Sequence, residues 1–97
     1  MGFIYGVLVE EYTRLLEKQQ DYKEKLKQLP KGSLVKKKIN GRYYDYLMYR
    51  AEGKVITKYI KKNRFEEVKA QLERRKKIEI LLASIKQDIG LIEKALK

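Results

Sequence analysis

A chain of 97 residues with 24 Lys or Arg, 13 Asp or Glu, no cysteine and no histidine carries a formal net charge of +11. The length fits one small domain, and one core is expected. The missing residue types exclude disulfides, thiolate or imidazole metal centres and the commonest general base. The charge is local: Lys31 to Arg64 holds eleven of the cations against Asp45 and Glu52 alone.

Most enzyme templates fail on this composition. Besides tyrosine, Ser33, Ser84, Thr13 and Thr57 are the hydroxyl nucleophiles, and none stands beside an activating base. Lys31-Gly32-Ser33 lacks the glycine-rich run of a phosphate loop. A noncatalytic protein with no cofactor and no metal is therefore expected.

Taken in chain order, the apolar stretch Phe3 to Val9 has no basic leader and runs directly into Glu10 and Glu11. It falls short of the roughly 20 apolar residues needed to span a bilayer. No membrane association and a cytoplasmic location are expected. Tyr5, Leu8, Tyr12, Leu15, Gln19, Tyr22, Leu26 and Leu29 then recur at alternating threes and fours, a heptad seam that predicts a helix over residues 1–29. Pro30 stops it near Gln28, because proline lacks a backbone donor and disfavours helix in the preceding residue.

Between residues 33 and 61 the period falls to two. Asn40-Gly41 separates two strand-like runs and suits a type I′ turn, in which both central residues need positive φ. Leu34–Ile39 should pair with Arg42–Arg50, and Glu52-Gly53 makes a second turn into Val55–Lys61. The expectation is a three-stranded antiparallel meander. Two-residue loops would put Val35, Lys37, Ile39, Arg42, Tyr44, Tyr46, Met48, Arg50, Val55, Thr57 and Tyr59 on one face. Leu34, Leu47, Ile56 and Ile60 mark the other as the side to be buried on helix.

The last third, residues 64–96, repeats the heptad logic through Val68, Gln71, Arg75, Ile78, Leu82, Ile85, Ile89, Ile92 and Leu96. Asn63 is the expected cap, with Glu66 and Glu67 opposing the helix dipole. The predicted fold is α+β: helix, meander, helix, the helices forming an antiparallel coiled-coil hairpin with the sheet at one end. A register opposing Leu29 to Val68 also opposes Leu15 to Leu82 and Leu8 to Ile89, and it sets Arg75 against Tyr22. Leu16, Leu72, Ile80, Leu81 and Leu91 lie outside the seam, to meet either the sheet or a second copy.

The candidate site follows from the basic block and its tyrosines. Cations grip phosphate while neighbouring rings stack on bases, which nominates Lys36, Lys37, Lys38, Arg42, Tyr44, Tyr46, Arg50, Lys54, Lys58, Tyr59, Lys61 and Lys62 as nucleic-acid-binding residues. Edge-strand lysines also discourage unwanted strand pairing, and sheet tyrosines also serve packing. Edge protection does not account for cations spread over three strands and both connections. Asp45, the lone strand acid, is expected to pair with nearby Lys36 or Lys58.

The run Leu29-Pro30-Lys31-Gly32-Ser33, with Asn40-Gly41-Arg42-Tyr43-Tyr44, Tyr49-Arg50, Gly53-Lys54-Val55 and Lys58-Tyr59-Ile60, resembles small bacterial and phage-borne proteins of unassigned function. Its strand-turn-strand-helix order is also similar to the three-stranded arm-binding domains of tyrosine integrases. That second resemblance implies a sheet that reads a DNA groove with a helix behind it, and carries a role to Tyr44, Arg50 and Lys58. The long leading helix and the lack of a catalytic domain depart from it. Two function classes stand at this point: a nucleic-acid-binding accessory protein for DNA or RNA, or a protein-interaction module docking on an acidic partner. A homo-oligomer or a subunit of a larger complex suits the excess apolar helix surface.

Overall fold

The computed structural model describes residues 2–97. Its elements are α1 (Gly2–Lys27), β1 (Ser33–Ile39), β2 (Arg42–Ala51), β3 (Lys54–Ile60), a short 3-10 turn (Lys62–Arg64) and α2 (Phe65–Leu96). The chain is therefore α+β, in the expected helix, meander, helix order. It divides into two compact units, one formed by the chain up to Gln28 together with Lys77–Lys97, the other by Leu29–Lys76. No helix among the described residues is long and apolar enough to cross a membrane.

In the first unit α1 and the second half of α2 pack as a hairpin. Leu15, Ile85, Ile89 and Ile92 are buried together, with Leu8, Tyr12, Tyr22 and Leu96 packed around them. These are seam positions, but the register differs from the expected one. The Tyr12 hydroxyl donates to Glu93 Oε2 at 3.4 Å, where the predicted alignment would face it with Ile85. The cause is the repeat itself: sliding one heptad leaves every apolar layer matched, so a seam fixes which face is buried without fixing the offset. Lys25 of the same helix lies over the Tyr22 ring at 5.3 Å.

In the second unit the sheet has the order β1-β2-β3, antiparallel throughout. Asn40 and Gly41 take φ of 52° and 80°, Glu52 and Gly53 take 51° and 75°, so both connections are two-residue turns of left-handed backbone. Right-handed strand twist favours this geometry, and it sets the pairings Ile39 with Arg42 and Ala51 with Lys54. Leu47, Ile60 and Leu72 form the buried core, flanked by Leu34, Tyr49, Phe65 and Val68. The side expected to be buried is the buried one. Leu72, off the seam, meets the sheet, whereas Leu16, Leu81, Leu91 and Ile80 stay exposed.

Two local details correct the sequence reading. Asn63 sits inside the 3-10 turn instead of capping α2; the chain enters through the Arg64 amide donating to the Lys61 carbonyl at 2.9 Å and the Phe65 amide donating to Lys62. Glu66 and Glu67 do occupy the first turn of α2. Arg75 donates from Nη1 to the carbonyl of Leu29, in the connector that follows α1, at 3.0 Å.

Candidate nucleic-acid interface

Period-two alternation divides the strand side chains between two faces. The face turned from the Leu47, Ile60 and Leu72 core presents Val35, Lys37 and Ile39 from β1, Arg42, Tyr44, Tyr46, Met48 and Arg50 from β2, and Val55, Thr57 and Tyr59 from β3. At its centre Tyr46 stands opposite Tyr59, their centroids 5.8 Å apart and their planes at 66°. Tyr44 meets the same Tyr59 ring diagonally at 6.2 Å and 65°. Edge-to-face contact suits the ring quadrupole, the positive edge of one ring meeting the negative face of the next.

Cations surround this cluster. Lys37 lies opposite Tyr44 and reaches diagonally to place Nζ 5.2 Å above the Tyr46 ring. Arg42 and Arg50 are exposed at opposite ends of β2 on the same face. Three rings thus lie between three cations on a surface about two inter-strand spacings, or roughly 10 Å, across.

The nominated residues do not all gather there. Lys36, Lys38, Lys54 and Lys58 alternate onto the other face, the one that also holds the buried core, with their side chains in solvent. Lys38 places Nζ 5.7 Å above Tyr43, its cross-strand partner. Lys61 and Lys62 follow β3 in the lead to the 3-10 turn. Of the residues suggested by the integrase resemblance, Tyr44 and Arg50 share the tyrosine face and Lys58 does not.

A cavity of about 590 Å³ at the open edge of β2 is lined by Arg42, Tyr44 and Tyr59 of the tyrosine face, by Tyr43, Asp45 and Ile60 of the other face, and by Lys62. β3 ends at Ile60, opposite Asp45, so the first residues of β2 have a strand on one side only. Asp45 is the cross-strand partner of Lys36, on the face away from the tyrosine cluster. Sequence reasoning missed this cavity. The signal lay in strand lengths, since a third strand shorter than the second leaves a notch. Among the described residues no cluster of acidic side chains has metal-site geometry.

The structure defines a small α+β protein whose basic, tyrosine-bearing sheet face is open within its unit. The chain belongs to the DUF6788 family, a domain of unknown function, whose family model matches residues 12–70. That segment takes in most of α1, the whole sheet and the start of α2. No curated protein and no solved structure matches the chain significantly.

Proposed function

We propose that this protein is a noncatalytic nucleic-acid-binding accessory protein that contacts phosphates and bases with the tyrosine face of its sheet. The observation that carries the reading is the Tyr44, Tyr59 and Tyr46 cluster held among Lys37, Arg42 and Arg50. Phosphates release condensed counterions on meeting such cations, and bases stack on exposed rings. Of the three clustered rings, Tyr59, 54% exposed, is the most available for this. The similarity in strand order to integrase arm-binding domains supports the same use of the sheet.

The decisive measurement is affinity for short DNA and RNA, single- and double-stranded, across a salt series. If Lys37, Arg42, Arg50 and Lys62 each neutralise one phosphate, log affinity should fall against log salt with a slope of about −3 to −4. A slope near zero rules the reading out.

A second reading is a protein-interaction module or a subunit of a larger complex. Phe3 at 87%, Ile80 at 70% and Leu91 at 62% exposure favour it, because large apolar side chains in water mark association surfaces. It is supported instead if the protein purifies in a stoichiometric protein complex that survives nuclease treatment.

A further inference from the structure

β1 and β3 are the two edges of the sheet, and the edges are not alike. From the core beside Ile60 and Phe65, α2 reaches the start of β1, where Lys69 and Glu73 share a small cavity with Gly32 and Leu34. The helix thus flanks β1, and no strand lies beyond β3 among the described residues. Lys54 closes the second hairpin, so Lys54, Ile56, Lys58 and Ile60 bond to β2 while alternation turns the amides and carbonyls of Val55, Thr57 and Tyr59 outward. Val55 and Tyr59 are also 57% and 54% exposed.

A strand left open in this way can be completed by a copy of itself. An antiparallel pair centred on Thr57 sets it against the partner's Thr57, Val55 against the partner's Tyr59 and Ile56 against the partner's Lys58, with every outward amide facing an outward carbonyl. Threonine pairs and pairs of an aromatic with a β-branched residue are favourable across strands, and no two lysines stand directly opposite. Continued past the strand ends, the register brings Glu52 of the turn toward the partner's Lys62, and the charges are opposite. The same construction fails on β1, whose outward groups belong to Leu34, Lys36 and Lys38. Its centre opposes Lys36 to the partner's Lys36, and like charges directly opposite disfavour pairing.

We infer that β3 is a homodimer edge, joining two three-stranded sheets into one of six strands across a two-fold axis at Thr57. An isologous contact of this kind closes on itself and leaves β1 as the outer strand at both ends. Because Tyr46 pairs with Tyr59 and Val55 with Arg50, the row holding Tyr46 and Tyr59 continues through the partner's Val55 to the partner's Arg50. Each ring cluster gains a cation from the other copy. That shared platform, about five inter-strand spacings or roughly 24 Å wide, rests on the nucleic-acid reading above, whereas the strand pairing does not.

Sedimentation velocity over a wide concentration range should show a monomer and dimer in equilibrium. Thr57→Lys, which sets two ammonium groups face to face, should weaken the dimer roughly tenfold or more. Thr57 is exposed and its amide faces outward, so this variant should keep the unfolding midpoint of the dilute parent. The chain has no cysteine, and a hydrogen-bonded antiparallel pair sets its Cα atoms about 5.5 Å apart, within disulfide reach. Oxidation should therefore link Thr57→Cys into a dimer and leave Lys36→Cys largely unlinked. Thr57→Lys also adds a cation to the tyrosine face, so it should bind single- and double-stranded DNA of about 20 nucleotides more weakly than the parent only if the sheets work as a pair. A protein that stays monomeric throughout, or a dimer indifferent to Thr57→Lys, overturns the pairing. Tighter DNA binding by Thr57→Lys overturns the shared platform. A dimer that depends on Thr57 but binds neither DNA upholds the pairing and overturns the function proposed above.

Discussion

Tyr46 and Tyr59 are cross-strand partners on β2 and β3 and touch edge to face at 5.8 Å, while Tyr59 also receives Tyr44 at 6.2 Å. One half-exposed ring is therefore the hinge of the whole aromatic cluster. Its packing role and its proposed contact role are joined, because a ring fixed by two neighbours presents a defined surface to a ligand.

Replacing that ring separates the two roles. Tyr59→Ala should lower stability by about 1 to 2 kcal/mol through two lost aromatic contacts, and should weaken single-strand binding at least severalfold. Tyr59→Phe should preserve both, since neither edge contact needs the hydroxyl. Urea titration and strand binding on the same samples check the pair. A Tyr59→Ala protein that binds like the parent removes this ring from the interface.

The connector between α1 and the sheet makes a sharper demand. Gly32 has φ of 126°, and a Cβ built there would lie 2.3 Å from the Met48 carbonyl oxygen and 2.9 Å from the Tyr49 Cβ. Both neighbours belong to β2, which cannot move away without disturbing Leu47 in the core. Gly32→Ala should therefore destabilise by about 2 to 4 kcal/mol, combining backbone strain with overpacking. Thermal unfolding should show it as a large fall in midpoint, whereas Gly90→Ala, with open space around the added methyl, should gain up to about 1 kcal/mol.

The second hairpin holds a residue that dislikes its backbone. Glu52 occupies the same left-handed position, φ 51°, that Asn40 fills in the first turn at 52°. Asparagine tolerates that region better because its short side chain bonds locally. Glu52→Asn should raise stability by about 0.5 to 1 kcal/mol, and Asn40→Ala should lower it by a similar amount. Equal stabilities in chemical denaturation would show that the turns do not carry this strain.

Much of this architecture was legible in the residues. Asn40-Gly41 announced the first hairpin because few dipeptides accept two consecutive positive φ values, and hairpin register then followed by counting. The buried side of the sheet followed from where Leu34, Leu47, Ile56 and Ile60 alternate. What alternation could not show was the offset of the helical seam, since a heptad pattern matches itself one repeat along. The basic block misled in one respect. Composition grouped Lys36 to Lys38 as one patch, while strand geometry sends Lys37 to the tyrosine face and its two neighbours to the other. Asp45 was legible as the lone strand acid, but the cavity at the open edge of β2 depends on where β3 stops, which is a tertiary fact.

That split among the lysines gives the most direct test of which surface meets phosphate. Lys37→Ala and Lys58→Ala remove the same charge from opposite faces of one small sheet, so long-range electrostatics changes almost equally in the two. A direct phosphate contact differs: losing it should reduce the salt slope by about 0.7 to 0.9. Lys37→Ala should show that reduction together with weaker binding of every sequence, and Arg50→Ala should do the same. Lys58→Ala should leave the slope within about 0.3 of the parent, as a charge in the general field does. Lys37 carries an additional expectation, because its ammonium lies over the Tyr46 ring and steadies it. Lys37→Arg should keep both the slope and the ring contact. Matching slopes for Lys37→Ala and Lys58→Ala would move the interface off the tyrosine face.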